Sequence, residues 1–464
     1  MNKIKTVDPA FRAQMYKLLI PLVVQNLLNA AVSSSDVIML NYVGQSSISA
    51  VSLAANYAQV LGSVFYGLGT GATLLCAQYY GKKDFRAIGA VQGIALRFSM
   101  AISVLFALAA FTVPQLLMRL FTNDAELISI GAGYLRIMGI TYLCWGIIEV
   151  YMAVLRSIGR VTVCLVLNIM TFFLNIILNA IFIFGLFGAP KLGAVGVAIA
   201  TAASRVVELV GSFVVSALSK DVKLDLSEML HRNKVLTGDF VRLALPALGN
   251  DVSWGVAFSM YSVILGHLGN DAVAANSIVV VIRNLTTTFC FAVAGAGGIL
   301  LGNVMGTGDL DKAKKYASEV MKMTVLAGAA GGVILIASMP LVLRFASASL
   351  SDIAMGYLRV MLWINSYYIM GAAVNTSLIA GVFRAGGDTR FGLICDSIDM
   401  WCYAVPLGFF VAFVLKLPVL WVYFLLCTDE FVKWPWVIRH YRSGAWAKNI
   451  TREDLFNESE NVIP

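Results

Sequence analysis

Between Lys17 and Lys82 the chain carries one charged residue, Asp36, and between Arg160 and Lys191 it carries none. Such runs exceed the ~20 residues needed to cross the hydrocarbon of a bilayer. In lipid every backbone polar group must be satisfied within the structure, so only helices and closed barrels span. The runs lack period-two alternation, which selects helices. Composition agrees: 13% of the 464 residues are charged and 59% are hydrophobic, against about 25% charged in soluble domains. Soluble, disordered and nucleic-acid-binding chains are thereby excluded.

The predicted class is an all-α polytopic membrane protein with twelve transmembrane helices. They fall near 13–40, 50–79, 88–117, 128–155, 161–186, 193–217, 239–267, 272–304, 313–343, 353–383, 390–414 and 418–438. The predicted organisation is an N-terminal lobe (1–218), a cytoplasmic linker (219–238), a C-terminal lobe (239–438) and a cytoplasmic tail (439–464). The lobes are related in sequence. Leu18, Pro21, Ser34, Leu40, Gly44, Gly81 and Asp84 recur as Leu243, Pro246, Ser259, Leu265, Gly269, Gly306 and Asp309, and Arg156 and Gly159 as Arg384 and Gly387. An even number of spans per lobe makes the repeat parallel, about an axis along the membrane normal, an architecture of transporters in which two bundles rock about a site.

Lys and Arg in short loops set orientation. With the N-terminus inside, 23 of the 34 Lys and Arg fall in inner segments, whereas Arg119, Lys191, Arg344 and Lys416 fall in outer loops. Both termini are therefore expected in the cytoplasm, in the inner cell membrane. This distribution accounts for the net charge of +8 without nucleic acid. No short apolar core with a small-residue cleavage site marks a signal peptide. The seven cysteines form no CxxC, and His231, His267 and His440 are far apart, so neither a disulfide framework nor a metal centre is expected. No G-x-x-x-x-G-K-[ST] is present, which argues against ATP as the energy source.

Polar residues within the spans are the functional candidates, because they are expensive in lipid. Gln25, Asn29, Ser33 and Asp36 share a face of the first span. Asp36 either lines a cavity as a protonatable or sodium-binding carboxylate, or fixes helix packing. Asn168, Thr171, Asn175 and Asn179 share a face of the fifth span, and their oxygens suit a hard cation or an interhelical hydrogen bond. Thr201 stands in a small-residue run, and Arg205 and Glu208 are spaced to pair. Glu149, Glu208, Asp396 and Asp399 are further acids able either to relay protons or to pair with a basic loop residue. Pro21 and Pro246 each mark a helix kink. Across the repeat Asp36 answers Tyr261, and Asn175 and Asn179 answer Tyr403 and Leu407. The polar cluster is accordingly expected in the first half only.

Four features then resemble the multidrug and toxic compound extrusion (MATE) family. They are Pro21 followed by Asp36; the Gln78-Tyr79-Tyr80-Gly81-Lys82-Lys83-Asp84 loop and its echo Asn303 to Asp309; Arg156-Ser157-Ile158-Gly159 with its echo Arg384 to Thr389; and the ending Arg442-Ser443-Gly444-Ala445-Trp446. The resemblance implies a transporter, not an enzyme. It implies an antiporter without a cofactor, in which H+ or Na+ drives the export of organic, often cationic or lipophilic compounds by alternating access. It implies a cation site at Asp36, Asn175, Asn179 and Thr201, with Na+ or H+ there, and a monomer in the bilayer. Another branch carries acids on spans seven and ten. The matching Gly255 and Ala373 lack them, which suggests the bacterial DNA-damage-inducible branch, with Asp251, about one turn away, the alternative acid. Gln25, Asn29, Asn168 and Arg283 are candidate cavity-lining residues. The alternative function is a flippase for lipid-linked or other amphipathic lipids, which would use intramembrane cations such as Arg97, Arg205, Arg283 and Lys322.

Overall fold

The structure, a computed structural model, describes residues 9–40, 43–219, 222–231, 233–347, 350–453 and 455. Within the first helix, the side chains of residues 30, 32–38 and 40 are not among those described. The side chains of Ser33 and Asp36 therefore lie outside the described part, as do Lys220, Asp221 and Arg232 of the linker.

All regular structure among the described residues is helical. The elements are α1 (Pro9–Leu40), α2 (Gln45–Lys82), α3 (Phe85–Thr112), α4 (Pro114–Arg119), α5 (Ala125–Ser157), α6 (Val161–Phe184), α7 (Gly193–Leu218), α8 (Lys234–Gly266), α9 (Asn270–Gly306), α10 (Leu310–Ala346) and α11 (Asp352–Asn375), then α12 (Thr389–Ile398), α13 (Val405–Phe409), α14 (Val419–Leu426), α15 (Asp429–Val432) and α16 (Trp434–Ser443). Nine segments among the described residues are long and apolar enough to cross a membrane. The eleventh predicted span is α12 and α13, joined by the π-helical turn Asp399–Ala404 and continued by a second, Phe410–Val414. The twelfth is not one helix. It is broken into α14, α15 and α16, and the break falls at Cys427 and Thr428, beside Asp429 and Glu430. Irregular backbone at membrane depth is tolerated where protein or a cavity covers it.

The repeat is visible in how helices begin. Asp84 Oδ1 accepts the Ala87 N–H at 2.9 Å and Asp309 Oδ1 accepts the Lys312 N–H at 2.9 Å. The shared aspartates are thus the N-caps of α3 and α10, each satisfying an orphan donor of the first turn. Gly44 and Gly269, ahead of α2 and α9, have φ of 131° and 120°, a region that only glycine adopts at no steric cost.

The residues form two compact units, one of Val24–Leu248 with Thr451–Pro464 (the N-unit), the other of Met1–Val23 with Gly249–Ile450 (the C-unit). The division passes through α1 and α8 rather than through the linker, just beyond Pro21 and Pro246, each of which lies inside an unbroken helix. Packing explains the division. In the N-unit, α2 presents Gly67 and Gly71 to the first half of α8. A Cβ on Gly71 would stand 2.6 Å from the Ala244 Cβ, and one on Gly67 2.7 Å from the Leu248 Cβ. Small residues let the two backbones approach to this distance. In the C-unit, the first half of α1 stands against α9 and α10: Leu22 faces Gly295, the Phe11 and Tyr316 rings are 4.1 Å apart, and Arg12 meets Glu319 at 3.0 Å. The final motif packs in the C-unit as well, where a Cβ on Gly386 would overlap the Trp446 carbonyl.

Candidate functional site

In the N-unit, α6 and α7 bring three of the expected site residues together. Asn179 Nδ2 donates to Asn175 Oδ1 at 3.1 Å, and Asn175 Nδ2 donates to Thr201 Oγ1 at 3.2 Å. The relay runs in one direction and ends on a hydroxyl. Asn179 is 0% exposed and Asn175 3%. The helical spacing of four aligns the two amides on α6, and small neighbours on α7, such as Ala198, Ala200 and Ala202, let Thr201 come within reach. The three groups are neutral.

The other polar residues of the same helices are placed differently. Thr171 donates back to the Leu167 carbonyl of its own helix at 2.9 Å, and Asn168 is half-buried. Gln25 is buried, whereas Asn29 is exposed. Glu149 meets Arg156 at 2.7 Å and Glu208 meets Arg205 at 2.7 Å, so both acids have taken the ion-pair option.

The intramembrane cations that a lipid-phosphate site would need are mostly engaged. Arg97 donates to the Met229 and His231 carbonyls at 2.9 and 2.6 Å, Arg205 is held by Glu208, and Lys322 by Glu319. Arg283 differs. Its guanidinium lies 4.7 Å from the Phe258 ring centroid and 5.9 Å from that of Tyr368, a cation–π arrangement.

The C-unit corrects the expectation that polar residues cluster in the first half alone. Where the twelfth span breaks, Lys433 Nζ lies 3.1 Å from Asp396 Oδ1, 3.1 Å from Glu430 Oε2 and 3.6 Å from Asp399 Oδ2. Tyr261 donates to Asp429 Oδ2 at 3.0 Å, and Asn375 Nδ2 donates to Glu430 Oε2 at 2.6 Å. All five charged groups are buried, Asp429 at 0% exposure and Lys433 at 1%. Asp396 does pair with a base, as one of its two expected options, but the base is in the span rather than in a loop. Asp251, the alternative acid, is held by Arg384 at 2.7 Å. Gly255 and Ala373 supply no acid; the carboxylates come from spans eleven and twelve instead. The sequence signal was an Asp-Glu pair interrupting the apolar run that ends the last span. Among the described residues no three or more His, Cys, Asp or Glu are placed to hold a metal ion.

Comparisons with known proteins agree with this architecture. The MatE family model matches the chain twice, over residues 21–181 and 252–410. The chain is 23% identical over 442 residues to the uncharacterized transporter YisQ of Bacillus subtilis (strain 168), covering 95% of this chain and 96% of that one. It is 26% identical to the probable multidrug resistance protein YoeA of the same organism, over 90% and 91% of the two chains. A probable multidrug resistance protein NorM of Thermotoga maritima is 23% identical over 96% of each chain. Among solved structures, a MATE in a bent conformation superposes with a TM-score of 0.84 at 18% identity, over 94% of this chain and 96% of the other. A MOP-superfamily transporter from Pyrococcus furiosus Vc1 (DSM3638) superposes with a TM-score of 0.82 at 20% identity, over 93% and 96%. These relatives do not support the DNA-damage-inducible branch. They do establish a multi-span transporter rather than an enzyme, and the chain belongs to the MatE family, the multidrug and toxic compound extrusion transporters.

Proposed function

We propose that this protein is a cation-coupled antiporter that exports organic, often cationic or lipophilic compounds by alternating access across the inner cell membrane, with both termini in the cytoplasm. The coupling ion, H+ or Na+, binds in the N-terminal lobe at Asp36, with Asn175, Asn179 and Thr201 as its neutral partners. The observation that carries this reading is the buried relay from Asn179 through Asn175 to Thr201, together with family membership.

The chemistry follows from the residue types. Amide and hydroxyl oxygens can replace the water around a hard cation or accept from a protonated acid. Neutralising Asp36 removes the hydrogen-bond demand of a carboxylate held in an apolar bundle. The first span then bends near Pro21, and the substrate is expelled. A cation drives such a cycle only if it binds one state more tightly than the other. The protein acts as a monomer in the bilayer and uses no cofactor.

The test is Asp36→Asn in everted membrane vesicles. The variant is expected to reach the membrane and to lose gradient-driven transport of organic cations; retained transport would overturn the assignment of Asp36. The flippase reading lacks an equivalent observation, since three of its four candidate cations are tied to partners within the protein.

A further inference from the structure

Four carboxylates, those of Asp396, Asp399, Asp429 and Glu430, meet in the interior of the C-unit. The cations near them are Lys433, in contact, and Arg283, farther off over the Phe258 and Tyr368 rings. A buried ion pair is tolerable when charges match and donors fill the remaining lone pairs. Here the acids outnumber the bases, and like charges crowded in a region of low dielectric repel strongly. The excess negative charge has to be removed by something other than the protein's own cations.

The donors are unevenly shared. Asp396 and Glu430 each have the Lys433 ammonium at 3.1 Å, and Glu430 has Asn375 as well. Asp429 has the Tyr261 hydroxyl, and its Oδ1 accepts the Glu430 N–H at 2.8 Å. Asp399 has neither kind of help. It is 1% exposed, and among the described residues no hydrogen-bond donor reaches Oδ1 or Oδ2. Lys433 stands 3.6 Å from Oδ2, an ion-pair distance beyond a hydrogen bond. The Asn375 carbonyl oxygen beside Glu430 is likewise without a donor among the described residues. A carboxylate buried with both oxygens bare is the most costly protonation state available to this group.

We propose that Asp399 binds a proton, and that the cluster on spans eleven and twelve is a proton site of the transporter, separate from the cation site in the N-terminal lobe. One added proton converts Asp399 to a neutral acid, relieves the repulsion from Asp396, Asp429 and Glu430, and leaves Lys433 to the two carboxylates it already touches. The groups facing Asp399 are these three acids, Lys433 and the Tyr261 hydroxyl from α8. Cys395, on α12, is the remaining titratable neighbour. A metal ion is the weaker occupant, because the point on which Asp396, Asp399 and Glu430 converge is already taken by Lys433 Nζ, whereas a proton needs one oxygen. The backbone suits a site that changes state. Asp399 opens a π-helical turn, and Asp429, Glu430 and Lys433 flank the broken part of the last span. π-Turns and interrupted membrane helices recur where transporters bind ions. The inference extends the antiport reading to the second lobe and depends on it only for the role of the proton in transport.

The test is pH-difference infrared spectroscopy of the full-length protein in lipid nanodiscs, reading the C=O stretch of protonated carboxylic acids in protein at rest. Wild type is expected to show an acid band that weakens reversibly as pH rises and shifts in D2O, as an exchangeable proton requires. The band is expected to persist in Asp36→Asn and to be lost in Asp399→Asn. Asp399→Glu, which keeps the acid, is expected to displace it and serves if the amide variant does not fold. A band unchanged in the Asp399 variants, or lost only in Asp36→Asn, would overturn the proposal and leave the Asp36 account intact. Loss of transport in Asp36→Asn, or its retention, does not bear on the band.

Discussion

Lys433 Nζ lies 3.1 Å from Asp396 Oδ1, which joins the interrupted last span to the one before it inside the C-unit. Both side chains are buried, and the ammonium also meets Glu430 at 3.1 Å and stands 3.6 Å from Asp399, beyond hydrogen-bond reach. Removing one partner of a buried pair leaves an uncompensated charge and costs about 3–5 kcal/mol, whereas removing both costs much less. Lys433→Met is therefore expected to lower thermal stability sharply in size-exclusion or scanning-fluorimetry assays. Adding Asp396→Asn and Glu430→Gln should recover much of the loss. An unshifted melting temperature in the single variant would contradict the ionic reading of the cluster.

The relay to Thr201 separates a coupling role from a packing role. An interhelical hydrogen bond in a membrane protein contributes only about 0.6 kcal/mol, so Thr201→Val should barely change stability. If the hydroxyl serves the cation, gradient-driven transport should fall by roughly 5- to 150-fold, the usual range of coupling energies, and Thr201→Ser should restore it. Equal transport in Thr201→Val and wild type would reduce the contact to packing.

Close approach of α2 to α8 predicts a steric effect confined to one face. Gly71→Leu places a side chain where a Cβ alone already stands 2.6 Å from Ala244. Such overpacking typically costs about 1–3 kcal/mol. Gly89→Ala on α3, where a Cβ meets nothing within 4 Å, should be neutral or slightly stabilising. Unfolding of the purified variants checks the contrast.

The two repeat-related caps predict equal effects in the two halves. Asp84→Ala and Asp309→Ala each remove an acceptor 2.9 Å from a first-turn N–H and should each cost about 1 kcal/mol. Asp84→Asn and Asp309→Asn should cost less. Unfolding measurements that found one cap inert would break the equivalence.

Much of this was legible in the chain because helix periodicity and lipid chemistry are local rules. The spacing of Asn175 and Asn179 put them on one face, and the recurrence of Asp84 at Asp309 and of Gly44 at Gly269 marked matching positions of the repeat. Two features escaped. The division of α1 and α8 between units depends on which helix packs on Gly67, Gly71 and Gly295, and that is a long-range choice. The C-unit cluster draws on Tyr261, Asn375, Asp396, Asp399, Asp429, Glu430 and Lys433 from four different spans, so no periodicity joins them. Lys433 in particular reads from sequence as a residue of the inner boundary, because it stands near the end of the last apolar run, and only packing shows it buried.

The central claim is that cation entry at Asp36 drives substrate export. The most direct measurement is ion flux in proteoliposomes holding purified protein, with ethidium as the organic cation, under an imposed pH gradient or an imposed Na+ gradient. Wild type should show ethidium movement against one of these gradients, with ion flux in the opposite sense, and Asp36→Asn should show neither. Ethidium transport by Asp36→Asn at the wild-type rate, still dependent on the gradient, would contradict the account.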